Sequence, residues 1–97
     1  MKKLINDPNN YVEEMLAGLV SAHASLSLGG ESGRCVSRSQ PAPSGQVGIA
    51  TGGGSGHLPL FTGYVGEGFT DACAIGNVFE GPTAQSCIDA IRAADHG

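Results

Sequence analysis

The residues best suited to chemistry stand together in Thr51-Gly52-Gly53-Gly54-Ser55-Gly56-His57-Leu58-Pro59, directly after the apolar run Val47-Gly48-Ile49-Ala50. A histidine, with an ordinary pKa of about 6.5, is the side chain best placed to take up or release a proton near neutral pH. Ser55 adds a hydroxyl. Four glycines in residues 52–56 leave a backbone without Cβ atoms, so a ligand can approach its N–H groups closely. Each glycine in ordered structure costs about 0.5–1 kcal/mol relative to alanine, so the loop implies that something there requires bare backbone. Gly/Ser composition also describes a flexible linker, but the apolar flanks favour an ordered loop. For His57 the alternative to a proton acceptor is a helix-capping or packed side chain.

Common phosphate-binding glycine loops do not fit. The P-loop pattern GxxxxGK[ST] requires a lysine, and none follows Lys3. The dinucleotide pattern GxGxxG, started at Gly52 or Gly54, ends on His57 or Pro59. The loop on its own points to a small polar or anionic ligand, with a histidine beside it.

The elements that must position this loop can be read from spacing. Asp7 and Pro8 predict a helix start, with Asp7 as N-cap and Pro8 in the first turn, and Glu13 and Glu14 near its positive end. Val12, Leu16, Leu19, Val20 and His23 recur at helical spacing, and His23 closes the helix as a charge partner or packed side chain. Residues 25–33 read as a loop turning at Gly29-Gly30, and residues 34–38 as a short edge strand. On it, Arg34 and Arg38 fit a solvated face or a phosphate contact. Residues 46–51 read as a buried strand, residues 57–66 as a short helix, and residues 69–75 as a second buried strand ending at Gly76. Residues 82–94 read as a final helix with Ile88, Ile91 and either Ala84 or Cys87 inward, and His96 simply ends it. This order predicts an α/β fold of parallel-sheet βα units, in which ligands sit beyond the carboxyl ends of strands. A helix starting at His57 would add free N–H groups and a positive dipole end.

Length and composition bound the possibilities. Ninety-seven residues allow one small domain, which buries only roughly 60–70% of its unfolded surface. Sixteen glycines and 14% charged residues fit a piece whose faces are covered by further chain. With five Lys+Arg and a net charge of −4, no basic patch for nucleic acid is available. Cys35, Cys73 and Cys87 are odd in number, without a CxxC, and read as reduced core residues of a cytoplasmic protein. The start lacks the pattern of a signal peptide, and no apolar run approaches the ~18 residues of a membrane span.

GGGSGH-x-P after a β-like run, then Gly63-Tyr64-Val65-Gly66 and Ala72-Cys73-Ala74-Ile75-Gly76, resembles the dihydroxyacetone kinase family, in its ketose-binding K subunit or domain. The opening Met1-Lys2-Lys3-Leu4-Ile5-Asn6-Asp7, Leu16-Ala17-Gly18-Leu19 and Pro82-Thr83 resemble the same family. The resemblance runs through residues 1–97 and implies the N-terminal portion of a K-type domain that is several-fold longer. It implies that Gly54, Ser55, Gly56 and His57 hold a small ketose such as dihydroxyacetone or erythrulose. His57 would then accept the proton of the reacting hydroxyl, while the N–H groups of Gly54, Ser55 and Gly56 and the Ser55 hydroxyl supply donors. The phosphate would come from ATP on a separate L-type subunit or fused domain, or from phosphoenolpyruvate through phosphotransferase proteins. ATP and Mg²⁺ belong to that partner, so no cofactor and no metal is expected on this portion. A homodimer is implied for the full-length protein, and neither nucleic acid nor membrane as a partner.

Two departures qualify the resemblance. The family's acidic partner for the hydroxyl, and the second histidine that bonds the ketose carbonyl, fall beyond Gly97, so residues 1–97 alone are expected to be inactive. Leu58 stands where many members carry glutamate, which fits relatives acting on four-carbon ketoses. The same ketose-binding residues also suit a non-catalytic co-activator that senses the ketose, and an inactive truncated remnant is a third reading.

Overall fold

Asp7 takes an extended conformation, and its carboxylate accepts the Asn9 N–H at 2.9 Å. That cap, with Pro8 where no N–H is needed, opens a 3-10 turn, Pro8–Asn10, which runs into α1, Tyr11–Ala22. A computed structural model describes residues 2–97. Of the apolar positions on α1, Val12 and Leu16 are buried, Leu19 and Val20 are half-buried, and His23 is exposed just past its end.

Four strands follow: β1 (Leu26–Gly29), β2 (Cys35–Arg38), β3 (Ala50–Gly54) and β4 (Ala72–Gly76). They form one sheet in the order β1-β2-β4-β3. The expected α/β class holds, and the expected parallel pairing is found between β3 and β4, with Gly54 opposite Gly76. β1–β2 and β2–β4 are antiparallel, so the sheet is mixed. The residues 25–33 expected as loop contain β1, whose Leu26 and Leu28 alternate inward with Ser27 outward. β1 therefore takes the edge position, and β2, expected at the edge, lies inside.

Alternation along β2 and β4 builds two cores. Val36, Cys73 and Ile75 face α1, where they cluster with Val12, Leu16 and Val65. Cys35, Ala72 and Ala74 face α2 (Ala84–Ala94), against Ala90 and Ala94. The stripe Ser86, Ala90 and Ala94 is buried, whereas Ile88 and Ile91 are 42% and 64% exposed, contrary to the expected inner face. Small residues at four-residue spacing let the helix lie close to the sheet, and the larger isoleucines turn outward. Thr83 caps this helix, its hydroxyl accepting the Ser86 N–H.

Buried polar pairs close the layers. Asp89, on the inner face of α2, accepts the Ser32 N–H at 3.0 Å, the Ser32 hydroxyl at 2.6 Å and the Gln85 amide at 2.9 Å. Hydrogen bonding to Ser32, first by its hydroxyl and then by its N–H, lowers the Asp89 pKa to about 2. Gly30, at φ 81°, is held where a Cβ would strike that carboxylate. Asp71 accepts the Ile49 N–H at 2.8 Å and pairs with Arg38 at 3.0 Å. His96, expected merely to end a helix, has a side chain 3% exposed and places Nε2 3.2 Å from Asp71 Oδ1. Burial alone would raise the Asp71 pKa, but bonds from Ile49, Arg38 and His96 outweigh it and hold the carboxyl below its usual range. Arg34 in turn pairs with Glu13 at 2.6 Å and Asn77 at 3.1 Å. Both arginines are thus engaged in pairs, contrary to the solvated strand face expected for them.

Candidate functional site

β3 and β4 run parallel and end side by side, so the turns that follow them share one end of the sheet. The strand expected at residues 46–51 lies instead at Ala50–Gly54, and the glycines themselves form its last part. Val47 and Ile49, just before β3, are 84% and 51% exposed, and no further strand pairs with β3 among the described residues. Likewise β4 begins at Ala72, and Phe69 is exposed.

The bare backbone has an internal cause. A Cβ on Gly53 would overlap the Phe61 ring, and one on Gly56 would overlap the Val78 carbonyl and meet Phe79 Cε1 at 2.8 Å. A Cβ on Gly54 would press on the carbonyls of Val78, Glu80 and Asn77 at 3.0–3.2 Å. None of these glycines has positive φ. Close approach by the chain's own residues, rather than left-handed backbone, is what requires glycine here. The same approach commits two of the expected ligand donors: Ser55 N–H donates to the Asn77 carbonyl at 3.0 Å and Gly56 N–H to the Val78 carbonyl at 2.6 Å.

No helix spans residues 57–66. The chain forms two 3-10 turns, Ser55–His57 and Thr62–Tyr64, separated by Leu58 in extended conformation (φ −62°, ψ 144°). A residue before proline is pushed out of the helical region, which explains the break at Leu58-Pro59. The free helix N-terminus expected at His57 is therefore absent.

Two side chains remain for a ligand. Ser55 is 9% exposed, and its hydroxyl oxygen is buried without a hydrogen-bond partner among the described residues. An orphaned buried hydroxyl costs about 1–3 kcal/mol, so it is a group that a ligand would satisfy. His57 is exposed, flanked edge-on by Phe61 and Phe79. A cavity of about 360 Å³ opens beside the turn, with Ser55, Gly56 and Leu58 on its wall together with Tyr11 and Met15 of α1. His57 is not part of that wall. A larger concavity of about 530 Å³ lies between residues 45–50 and the last turn of α2, and does not include the turns after β3 and β4.

The two buried thiols are poorly suited as nucleophiles. Cys35, Cys73 and Cys87 are all free, as expected, but only the first two are buried, and Cys87 lies on the outer side of α2. Burial pushes the Cys73 thiol up to about 12, and burial with the nearby Asp89 charge raises Cys35. Among the described residues no three His, Cys, Asp or Glu side chains converge as a metal site would require, and no helix is long and apolar enough to cross a membrane.

Phe61 and Phe79, the flanks of the histidine, escaped the sequence reading. The available signal was the pair of glycines at 53 and 56, each of which vacates room for one ring.

A mixed sheet between two helices, with a histidine turn at the joined ends of its parallel strands, defines an α/β domain. The chain belongs to the Dak1 domain family, whose profile matches residues 17–97. Among curated relatives, it is 43% identical over 97 residues to the dihydroxyacetone-binding subunit DhaK of PTS-dependent dihydroxyacetone kinase 1 from Listeria innocua. That match covers 100% of this chain and 29% of the relative. It is also 43% identical to D-erythrulose kinase of Mycolicibacterium smegmatis, over 97% of this chain and 16% of the relative. Among solved structures it superposes on the dihydroxyacetone kinase of C. freundii, in complex with AMP-PNP and Mg²⁺, with a TM-score of 0.86 at 26% identity, covering 97% of this chain and 18% of that one. A dihydroxyacetone kinase operon co-activator matches with a TM-score of 0.74 at 35% identity, covering 82% of this chain and 24% of that one.

Proposed function

We propose that residues 1–97 are the N-terminal portion of a K-type domain, and that the turn Gly54, Ser55, Gly56 and His57 binds a small hydroxy-ketone whose primary hydroxyl is then phosphorylated. The buried, unpartnered Ser55 hydroxyl beside an exposed histidine carries this reading. With the Ser55 and Gly56 N–H groups committed to Asn77 and Val78, the Ser55 hydroxyl bonds a ketose oxygen. Gly54 and Gly56 give the turn its close packing, and His57 accepts the proton of the attacking hydroxyl.

Phosphoryl transfer needs positioning and charge stabilisation more than covalent help. The ketose oxygen attacks the terminal phosphorus, the bond to the leaving group breaks, and the proton passes to the imidazole. General-base assistance of this kind is typically worth about 10²–10⁴-fold. The phosphate donor is ATP with Mg²⁺ on an L-type partner, or a phosphotransferase protein, and the setting is the cytoplasm. Leu58, half-buried on the cavity wall, and the D-erythrulose kinase relative favour a four-carbon ketose alongside dihydroxyacetone.

The likeness to an operon co-activator supports a second reading, in which the domain binds the ketose and signals without transferring phosphate. The test is to add an L-type subunit and ATP, or the phosphotransferase proteins, to the longest natural form of the chain with dihydroxyacetone and with erythrulose. Ketose phosphate appearing with either donor supports the kinase. Binding without turnover supports the sensor, and neither one overturns both.

A further inference from the structure

Two phenyl rings pack against His57. The Phe61 centroid is 6.3 Å from that of the imidazole with the planes at 86°, and the Phe79 centroid is 6.2 Å away at 71°. Edge-to-face contact within about 7 Å is the preferred geometry of aromatic pairs. Each ring also rests on a glycine near the histidine, Phe61 on Gly53 at the end of β3 and Phe79 on Gly56 in the turn. Both glycines of the pair therefore seat a flank of the histidine.

Burial does not account for the arrangement. Phe79 is 82% exposed, so removing apolar surface from water is not what places its ring there. Its backbone is fixed instead, through the Gly56 N–H bond to the carbonyl of the preceding Val78. Phe61 packs on the cluster around Leu16 and Ile75. A surface histidine otherwise samples several rotamers, and holding one carries an entropy cost. The usual means of orienting a working histidine is a carboxylate or carbonyl on one ring nitrogen. Edge-to-face aromatic contacts orient a ring without a hydrogen bond to either of its nitrogens.

We infer that Phe61 and Phe79 are positioning residues for His57, holding the imidazole in one orientation at the turn that follows β3. The functional consequence rests on the ketose-binding reading above, whereas the positioning itself does not.

The test is side-chain NMR on the 97-residue chain, comparing wild type with Phe79→Ala and Phe79→Tyr. The exposed position of Phe79 keeps the fold intact, which unchanged amide signals of Cys73 and Ile75 verify. In wild type the His57 ring is expected to be more ordered than that of His23, exposed at the end of α1. In Phe79→Ala its order falls to the His23 level and dihydroxyacetone affinity falls roughly 3- to 10-fold, while Phe79→Tyr retains both. Unchanged His57 order in Phe79→Ala overturns the positioning role. Lost order with unchanged affinity overturns its consequence for binding. A wild-type chain that binds no dihydroxyacetone defeats the ketose reading alone, because the ring-order comparison still decides the positioning.

Discussion

The Gly56 N–H donates to the Val78 carbonyl at 2.6 Å, joining the turn after β3 to the loop after β4. That bond ties together the ends of the two parallel strands, and a side chain at residue 56 would collide with the same carbonyl. Adding one methyl tests it. Gly56→Ala places a Cβ inside the Val78 carbonyl and against the Phe79 ring. Overpacking of this kind costs typically about 1–3 kcal/mol. Urea unfolding should show that loss, with the largest amide shifts at Val78 and Phe79. An alanine variant as stable as wild type would mean that the two turns move apart freely.

Local signals in the sequence were readable, and long-range ones were not. Asp7 with Pro8 announces the first helix, and the short apolar runs at Cys35-Val36 and Ala72-Cys73-Ala74-Ile75 announce strands, though not that β2 lies inside the sheet. The glycine turn and His57 stood out for their chemistry. Hidden were the partners that arrive from far along the chain: Asp89 meets Ser32 across a separation of 57 residues. Hydrophobicity also misled on α2, where Ile88 and Ile91 outranked the small stripe that packs on the sheet. Glycines 53, 54 and 56 suggest room for a ligand, although the Phe61 and Phe79 rings and the carbonyls of Asn77, Val78 and Glu80 already use much of that room.

Acid should loosen the chain through Asp89 in a predictable window. Its carboxyl is held at about 2 when folded, against about 3.9 when unfolded. The stabilisation is therefore full above about pH 4 and is lost as pH falls towards 2. Melting temperatures of wild type and Asp89→Asn should differ at pH 7 and converge by pH 2. A gap that stays constant across this range would show that Asp89 does not carry the linkage.

Ser55→Ala should separate stability from function. Removing a buried hydroxyl that lacks a partner relieves about 1–3 kcal/mol of unmet hydrogen bonding. The variant is expected to unfold at higher urea than wild type and to bind dihydroxyacetone more weakly. Lower stability would show that the hydroxyl already has a partner in the folded chain.

The open edge of β3 should drive self-association. Val47 and Ile91 are 84% and 64% exposed and line one concavity with Ala50, the first residue of β3, and an unpaired edge next to apolar surface templates further strands. Val47→Lys together with Ile91→Glu is expected to lower the sedimentation-average mass at high concentration without shifting the melting temperature by more than a few degrees. Equal association in wild type and the double variant would place the contact elsewhere.

The central claim is that the turn from Gly54 to His57 is a ketose site, and a titration of the labelled chain with dihydroxyacetone and erythrulose tests it most directly. The account predicts saturable shifts at Ser55, Gly56, His57 and the adjoining Val78 and Phe79, lost in Ser55→Ala combined with His57→Ala. Shifts centred on the concavity between residues 45–50 and the end of α2, or none up to saturating ketose, would contradict it.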